Sequence, residues 1–503
     1  MIMRRSYIRL YCILFFSLFV GTIDAHDFES SNEDGVIIYY KVINETDVAV
    51  SFKGDVCNDY TNEYVGKVIV PETVMHDGKV YNVTSIFETS FFDCNRLKSI
   101  VLPNSITSIG HSAFWYCNAL TSVILSQNLK SIGHAAFWEC AKLASISLPE
   151  GIEEIGSCAF YGCRMLESFF VPNSLQRIDG NILSGCTNLK LIEVAENNPV
   201  YDSRNNCNAI ILKTDDELIT GCQTTIIPDG IKKIGQQAFE ECKGLSSIIL
   251  PDGIESVESG AFQSCDNLFS ISLPNSLTNI GIAAFRGCKK LSSIIIPDGV
   301  QTLSGYMFYG CNSLTSVIVP DKITAIESCT FMECNKLASF KIPTTVTSIK
   351  DHAFCECYSL QTITIPSNVT TISMSAFQSC KGLTSVVIGE NVKNIRNNVF
   401  MKCTSLEQIT SYAPEPPLCG QWAFESIDKT KCKVFVPKDA AAAYREAEGW
   451  KDFSIIEVID DELGIKSNNS LKKSFNNTVY LLNGIKQSNR NKGIMIVNGR
   501  KII

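Results

Sequence analysis

Apolar residues recur along most of this chain with a beat of 23 positions. Phe91, Phe114, Phe137 and Phe160 keep it; Cys94, Cys117, Cys140, Cys163 and Cys186 keep it three residues later; Leu97, Leu120, Leu143, Leu166 and Leu189 keep it three later again. The row resumes at Cys242 and runs through Cys265, Cys288, Cys311, Cys334, Cys357, Cys380 and Cys403. Between Cys186 and Cys242 lie 56 positions, one period of 23 plus 33 more. The unit reads A-F-x-x-C-x-x-L-x-S-I-x-I-P-x-x-I-x-x-I-G. A strict short period means that each unit is one turn of a coil, unable to bury its apolar positions alone and closed by its neighbours.

Within the unit, L-x-S-I-x-I-P alternates apolar and other residues, which predicts a strand. In Leu97 to Pro103, Ile100 and Leu102 face inward and Ser99 and Val101 face out. Proline then stops the strand, and the Pro-Asp-Gly or Pro-Asn-Ser that follows is turn chemistry, as at Pro251-Asp252-Gly253 and Pro274-Asn275-Ser276. The A-F-x-x-C stretch has room for about one helical turn. The expected fold class is an α/β repeat solenoid, mostly β with short helical turns and a parallel strand sheet on one face. Paired strands about 4.8 Å apart over about 14 coils give a body about 70 Å long.

These columns resemble the BspA-type leucine-rich repeats of bacterial surface antigens, over roughly residues 65 to 410. The irregular stretch from Asn198-Pro199-Val200-Tyr201 to Ile227-Pro228 is similar to an odd unit in that family, and so is the ending Ala413-Pro414-Glu415-Pro416-Pro417, Val434-Phe435-Val436-Pro437, Tyr444 and Gly449-Trp450. Val479-Tyr480-Leu481-Leu482-Asn483-Gly484 and the run Lys492 to Lys501 resemble the C-terminal sorting domain of Bacteroidetes secreted proteins, which implies type IX secretion or surface attachment. Read without a family, that tail is two short strands with polar turns. The expected organisation is a signal peptide at 1–25, an N-terminal cap at 26–64 and a solenoid at 65–411 with an irregular insert at 190–228. A C-terminal cap at 412–462, a linker at 463–477 and a sorting-domain-like hairpin at 478–503 complete it.

The leader reading rests on Arg4, Arg5 and Arg9 ahead of the apolar run Leu10 to Val20, with Ala25 as cleavage point. That run is short for a permanent anchor, the competing reading. With 45% hydrophobic and 19% charged residues the chain has material for a large interior and too little charge for disorder. A net charge of −8 without Lys/Arg clusters argues against nucleic acid or anionic lipid as main partner.

Twenty-two cysteines in an exported chain suggest disulfides. Thirteen of them stand in the repeat column, where they read as small buried residues with mostly free thiols. Cys207 with Cys222, and Cys419 with Cys432, are the better disulfide candidates. His111 and His134 stand one period apart and stack on adjacent turns, either as ordinary polar positions or as a metal or pH-sensing pair. No zinc spacing, H-E-x-x-H, G-x-S-x-G, P-loop or G-x-G-x-x-G occurs. No metal and no cofactor are expected.

Function is expected on the outward strand positions. One outward column is nearly all serine: Ser99, Ser122, Ser145, Ser168, Ser247, Ser270, Ser293, Ser316, Ser339 and Ser385. The next is apolar at Val101, Ile124, Phe170, Ile249, Ile295, Ile318 and Val387, with Glu193 and Lys341 interrupting. Val101, Ile124, Phe170, Ile249, Ile295, Ile318, Lys341 and Val387 are the candidate binding residues. Such a ribbon suits protein recognition, or it is a β-branched ladder that steadies adjacent strands. The family resemblance implies a non-catalytic, exported surface protein that mediates adhesion through an extracellular protein or glycoprotein, on host matrix or another microbe. Enzyme sites need unlike groups converging on one point, whereas these groups repeat along a line. Two alternatives stay open: a carbohydrate-acting enzyme on a β-helix-like coil, with its site hidden in the irregular segment, and a passive surface-layer or spacer protein.

Overall fold

A computed structural model describes residues 26–54 and 62–459, together with the backbone of residues 495–497 and 500–502. The leader at 1–25, the linker at 463–477 and most of the tail at 478–503 lie outside the described residues. In the tail, Met495–Val497 pairs antiparallel with Arg500–Ile502.

Each 23-residue unit makes one turn of a β-solenoid with three sides. The first side is the expected strand. Leu97–Val101 pairs parallel with Ser122–Ile124, Ser168–Val171 with Leu191–Val194, and Ser293–Ile295 with Ser316–Ile318. Toward the C-terminus this side becomes an unbroken five-stranded sheet, from Thr362–Ile365 to Ile455–Val458. Partners such as Val101 and Ile124 differ by one period, so like residues lie side by side.

The second side is a further parallel sheet that the strand reading did not include. Its strands are two residues long, for example Ser108–Ile109, Ser131–Ile132, Glu154–Ile155 and Arg177–Ile178. They come from the x-I of I-x-x-I-G, too short to show an alternation in sequence. Glycine follows this strand in several coils and packs closely: a Cβ on Gly133 would lie 2.7 Å from the Gly110 carbonyl carbon, and one on Gly156 2.5 Å from the His134 nitrogen. Other coils carry a side chain at that place, among them Asp179, Glu258, Glu327 and Lys350, and keep the same link, as where the Asp179 N–H donates to the Ile155 carbonyl at 3.1 Å.

The A-F-x-x-C stretch forms the third side, as linked turns. Left-handed residues break each turn before it can wind on, such as Ser112 (φ 53) and Tyr116 (φ 60) in one coil, then Ala135 (φ 52) and Glu139 (φ 57) in the next. The freed N–H groups point along the stack: Phe91 donates to Ala113, Phe114 to Ala136 and Phe137 to Ala159, each at 2.7 Å. Among the described residues the helices are Arg204–Asn206, Lys438–Ala440 and Ala441–Glu446, all outside the regular coils.

Inside, the phenylalanines form a file of parallel rings. Phe91, Phe114 and Phe137 stack with centroids 4.8 and 4.9 Å apart; Phe377, Phe400 and Phe424 continue at 5.6 and 5.7 Å. Tyr64 covers the first ring at 4.4 Å, and its hydroxyl donates to the Ser51 carbonyl. Trp450 and Phe453 meet the last ring at steep angles, 59° and 83°, which ends the stack.

The cysteine file runs beside it and does more than fill space. Eleven of the thirteen column thiols donate to the phenylalanine carbonyl of the preceding coil, among them Cys117 to Phe91 at 3.0 Å, Cys140 to Phe114 at 3.1 Å, Cys288 to Phe262 at 3.1 Å and Cys403 to Phe377 at 3.2 Å. Alanine would fit but leave that oxygen one partner short. Burial holds the Cys140, Cys163 and Cys288 thiols well above their usual pKa and pushes Cys311 up to about 12. All twenty described cysteines are free. That corrects the disulfides expected for Cys207 with Cys222 and Cys419 with Cys432: Cys207 faces the Ser203 hydroxyl at 3.7 Å, Cys222 the Thr224 hydroxyl at 3.2 Å, and Cys419 the Pro417 carbonyl at 3.6 Å.

The irregular segment divides the interior in two. In the strand Ala209–Leu212, Ile210 packs into the N-terminal core, while Ala209 and Ile211 pack into the C-terminal core. On the turn side the coils still meet directly, where the Asn181 side chain donates to the Gln237 carbonyl at 2.7 Å. Gly221 occupies the slot that a phenylalanine would take, and any Cβ there would overlap the Phe239 ring.

Candidate functional site

Strand alternation decides which side chains reach the outside. Ile294 is 3% exposed and its neighbour Ile295 is 64% exposed. Of the sequence-selected residues, Ile124, Phe170, Ile249, Ile295, Ile318 and Lys341 are exposed, while Val101 and Val387 are half-buried. The serine column is exposed or half-exposed throughout, so the two columns share one surface.

Register brings some of these residues side by side and keeps others apart. Val101 lies against Ile124, and Ile295 against Ile318. Phe170 neighbours Glu193, Ile249 neighbours Ser272, and Val387 lies between Thr364 and Thr410. Phe170 and Ile249 fall on opposite sides of the irregular segment. Lys341 follows a coil whose strand is reduced to a single bridge between Ser339 and Thr362.

Three further apolar residues belong to this face. Ile226 is 78% exposed, more than any other large apolar side chain described. It stands two residues before Pro228, as Ile249 does before Pro251, so counting back from proline finds it where counting forward from cysteine does not. Leu191 replaces a serine in the first column and pairs with Ser168. Phe269, four residues after Cys265, is also exposed.

Nothing on this face is built for acid–base or metal chemistry. The charged groups of the irregular segment satisfy one another: Arg204 bridges Asp202 and Asp216 at 2.9 Å each. His111 accepts the His134 backbone N–H at Nδ1 (3.0 Å), and His134 Nδ1 lies 2.7 Å from the Ser157 hydroxyl, so both rings serve as links between coils. Burial, with His111 alongside, holds His134 below the usual histidine pKa. Among the described residues no group of three or more His, Cys, Asp or Glu is arranged to hold a metal ion. Two cavities, of ≈ 160 Å³ around Trp422 and ≈ 240 Å³ around Glu88, lie away from the ribbon. Both fall below the roughly 300–1,000 Å³ of a ligand pocket.

The pattern described as "BspA type Leucine rich repeat region" matches residues 80–202, 219–338 and 324–436. The chain belongs to the BspA-type leucine-rich repeat family. The gap between the first two matches falls inside the segment that parts the two cores. Among solved structures, the chain is similar to a leucine-rich repeat protein from Eubacterium ventriosum, at 25% identity, covering 68% of this chain and 92% of that one with a TM-score of 0.57. It is similar in fold to one from Bacteroides ovatus, at 23% identity, covering 88% and 100% with a TM-score of 0.50. Among curated proteins none matches. No helix among the described residues is long and apolar enough to cross a membrane.

Proposed function

We propose that this BspA-type chain works outside the cell as a non-catalytic binding protein that holds an extracellular protein or glycoprotein on its outward strand ribbon. The single observation that carries the reading is the set of exposed apolar side chains, Ile124, Phe170, Ile226, Ile249, Ile295 and Ile318, along the outward face. Single exposed apolar residues are ordinary, but this many along one face, with Ile295 set directly beside Ile318, make a surface suited to a partner. The division into leader, capped solenoid, linker and sorting-domain-like tail belongs to the same proposal. Residues 1–25 direct export, and residues 478–503 route the chain through type IX secretion to the surface. Host matrix or another microbe's surface supplies the partner.

A pull-down of matrix proteins and glycans with immobilised protein tests this. Replacing Phe170, Ile295 and Ile318 together with Ser is expected to lower the captured amount at least tenfold while circular dichroism stays unchanged. Undiminished capture by that variant would reject the ribbon, and capture of nothing by the parent would favour a passive spacer. Release of reducing sugar from glycans would point instead to an enzyme.

A further inference from the structure

The ribbon changes character along its length. From Pro228 to Pro320, the position two residues before each strand-ending proline reads Ile226, Ile249, Ser272, Ile295 and Ile318, and the row ends at Lys341 and Thr364 in the next two coils. The position just after the same proline reads Asp229, Asp252, Asn275, Asp298 and Asp321. All four aspartates are exposed. The turns that carry the first two are open, since Gly230 (φ 90) and Gly253 (φ 99) have nothing within 4 Å of a Cβ. The nearby Lys232 and Lys289 pair elsewhere, with Glu255 and Asp266. Of five coils, four therefore carry an isoleucine with an aspartate three residues on, and the middle one carries Ser272 with Asn275. The N-terminal coils lack this pairing: there the same two positions read Val101 with Asn104, Ile124 with Gln127, Ser147 with Glu150, Phe170 with Asn173 and Glu193 with Glu196, so no apolar residue is joined to a carboxylate.

We infer that the coils from Ile226 to Ile318 take an amphipathic α-helix of the partner, apolar on one face and edged with Lys or Arg. The inference rests on the ribbon being the binding face and names what that face recognises. The carboxylate row sets the sign of the partner's charge. Spacing sets its conformation. Adjacent coils repeat about every 4.8 Å, whereas an extended strand returns to the same face about every 6.6 Å and loses register by about 2 Å per coil. A helix lying along the stack returns every turn, about 5.4 Å, and slips by only about 0.6 Å per coil. Four coil steps span about 19 Å, or about 13 helical residues. Side chains of the helix at i, i+4, i+11 and i+14 then meet the isoleucines, a Leu or Phe at i+7 seats in the dip at Ser272, and flanking Lys or Arg reach the aspartates.

The test uses the full chain and two labelled peptides of about 18 residues, one Leu–Lys and one Leu–Glu, both patterned for an amphipathic helix, with fluorescence anisotropy as readout. Saturable binding of the Leu–Lys peptide alone is expected, weakened by added salt. Ile249→Ser with Ile295→Ser, and separately Asp252→Asn with Asp298→Asn and Asp321→Asn, should each raise Kd about tenfold. Met75→Ser with Val80→Ser, exposed on the N-terminal hairpin and outside the ribbon, should leave it unchanged. Equal binding of both peptides, no saturable binding, or an equal loss in the Met75/Val80 variant overturns the inference. If the Leu–Lys peptide fails while the Phe170/Ile295/Ile318 variant still loses partner capture, the helix is wrong and the ribbon stands. If that variant captures normally, the ribbon itself is wrong.

Discussion

The coils before the irregular segment and the coils after it have the same interior and different exteriors. Phe114 and Phe137 stack at 4.9 Å in the first block, and Phe239 and Phe262 at 5.0 Å in the second. Cysteine donates to phenylalanine in both, Cys140 to Phe114 at 3.1 Å and Cys265 to Phe239 at 3.0 Å. Toward the surface, the first block carries a stack of buried Trp115 and half-buried Trp138 and Tyr161 on its turn side, while the second carries the exposed Ile/Asp border on its strand side. The inward columns are held to one solution because each coil must match its neighbour. Outside, the serine column still repeats, while the column beside it, bound by no interior match, varies coil by coil. What repeats builds the body, and what departs from the repeat is where we place the proposed recognition.

The comparison is tested hardest by removing one ring from each block. Phe137→Ala and Phe285→Ala should each cost about 3–5 kcal/mol, measured by denaturant unfolding. Equal costs would confirm that the two interiors are energetically alike, whereas a cost confined to one block would break the likeness. A smaller effect, about 1–3 kcal/mol, is expected from Gly221→Ala, because the added methyl meets the Phe239 ring where the cores part. Hydrogen exchange should then quicken around residues 207–240 more than in either block's middle; a uniform change would deny that the segment is a joint.

Smallest is a pH effect. Burial raises Glu63, at the start of the first block, to about 7, against the pull of the Lys53 N–H donated to it at 3.0 Å. Burial, with Glu241 adding to it, raises Glu240, at the start of the second block, to about 6. Both carboxyls hold their proton more tightly folded than unfolded. Their stabilisation is complete below the ordinary carboxyl pKa of about 4.3 and is lost as pH rises through about 6 for Glu240 and about 7 for Glu63. His134 acts in the opposite sense, since its lowered pKa withdraws stability as pH falls below about 6.5. Glu240→Gln should flatten the thermal midpoint between pH 4.5 and 6 relative to the parent and leave the remaining fall toward pH 7; an unchanged profile would remove Glu240 from the account.

Much of this was legible in the sequence because a period exposes what single positions hide. The inward Phe, Cys and Leu columns, the strand Leu97 to Val101 and the outward Ile295 and Ile318 all follow from the beat alone. Cysteine's second role was not legible, since a small buried residue and a small buried donor look alike until Cys288 Sγ is seen 3.1 Å from the Phe262 carbonyl. The two-residue strands escaped because alternation needs more than two residues to be read. Ile226 escaped because the segment before it departs from the cysteine register. The parting of the cores at Ile210 and Ile211 depends on a strand packed on both faces, which alternation read for one buried face does not reveal.

The central claim, that inward columns fold the chain and outward columns recognise the partner, is tested most directly by one paired measurement. Thermal midpoint and partner capture are recorded for Cys288→Ala and for the Phe170/Ile295/Ile318→Ser variant. Losing a buried thiol and its hydrogen bond costs about 1–2 kcal/mol, so Cys288→Ala should melt earlier and capture normally at low temperature. The ribbon variant should melt with the parent and capture little. A ribbon variant that melts early, or one that captures as well as the parent, would contradict the claim.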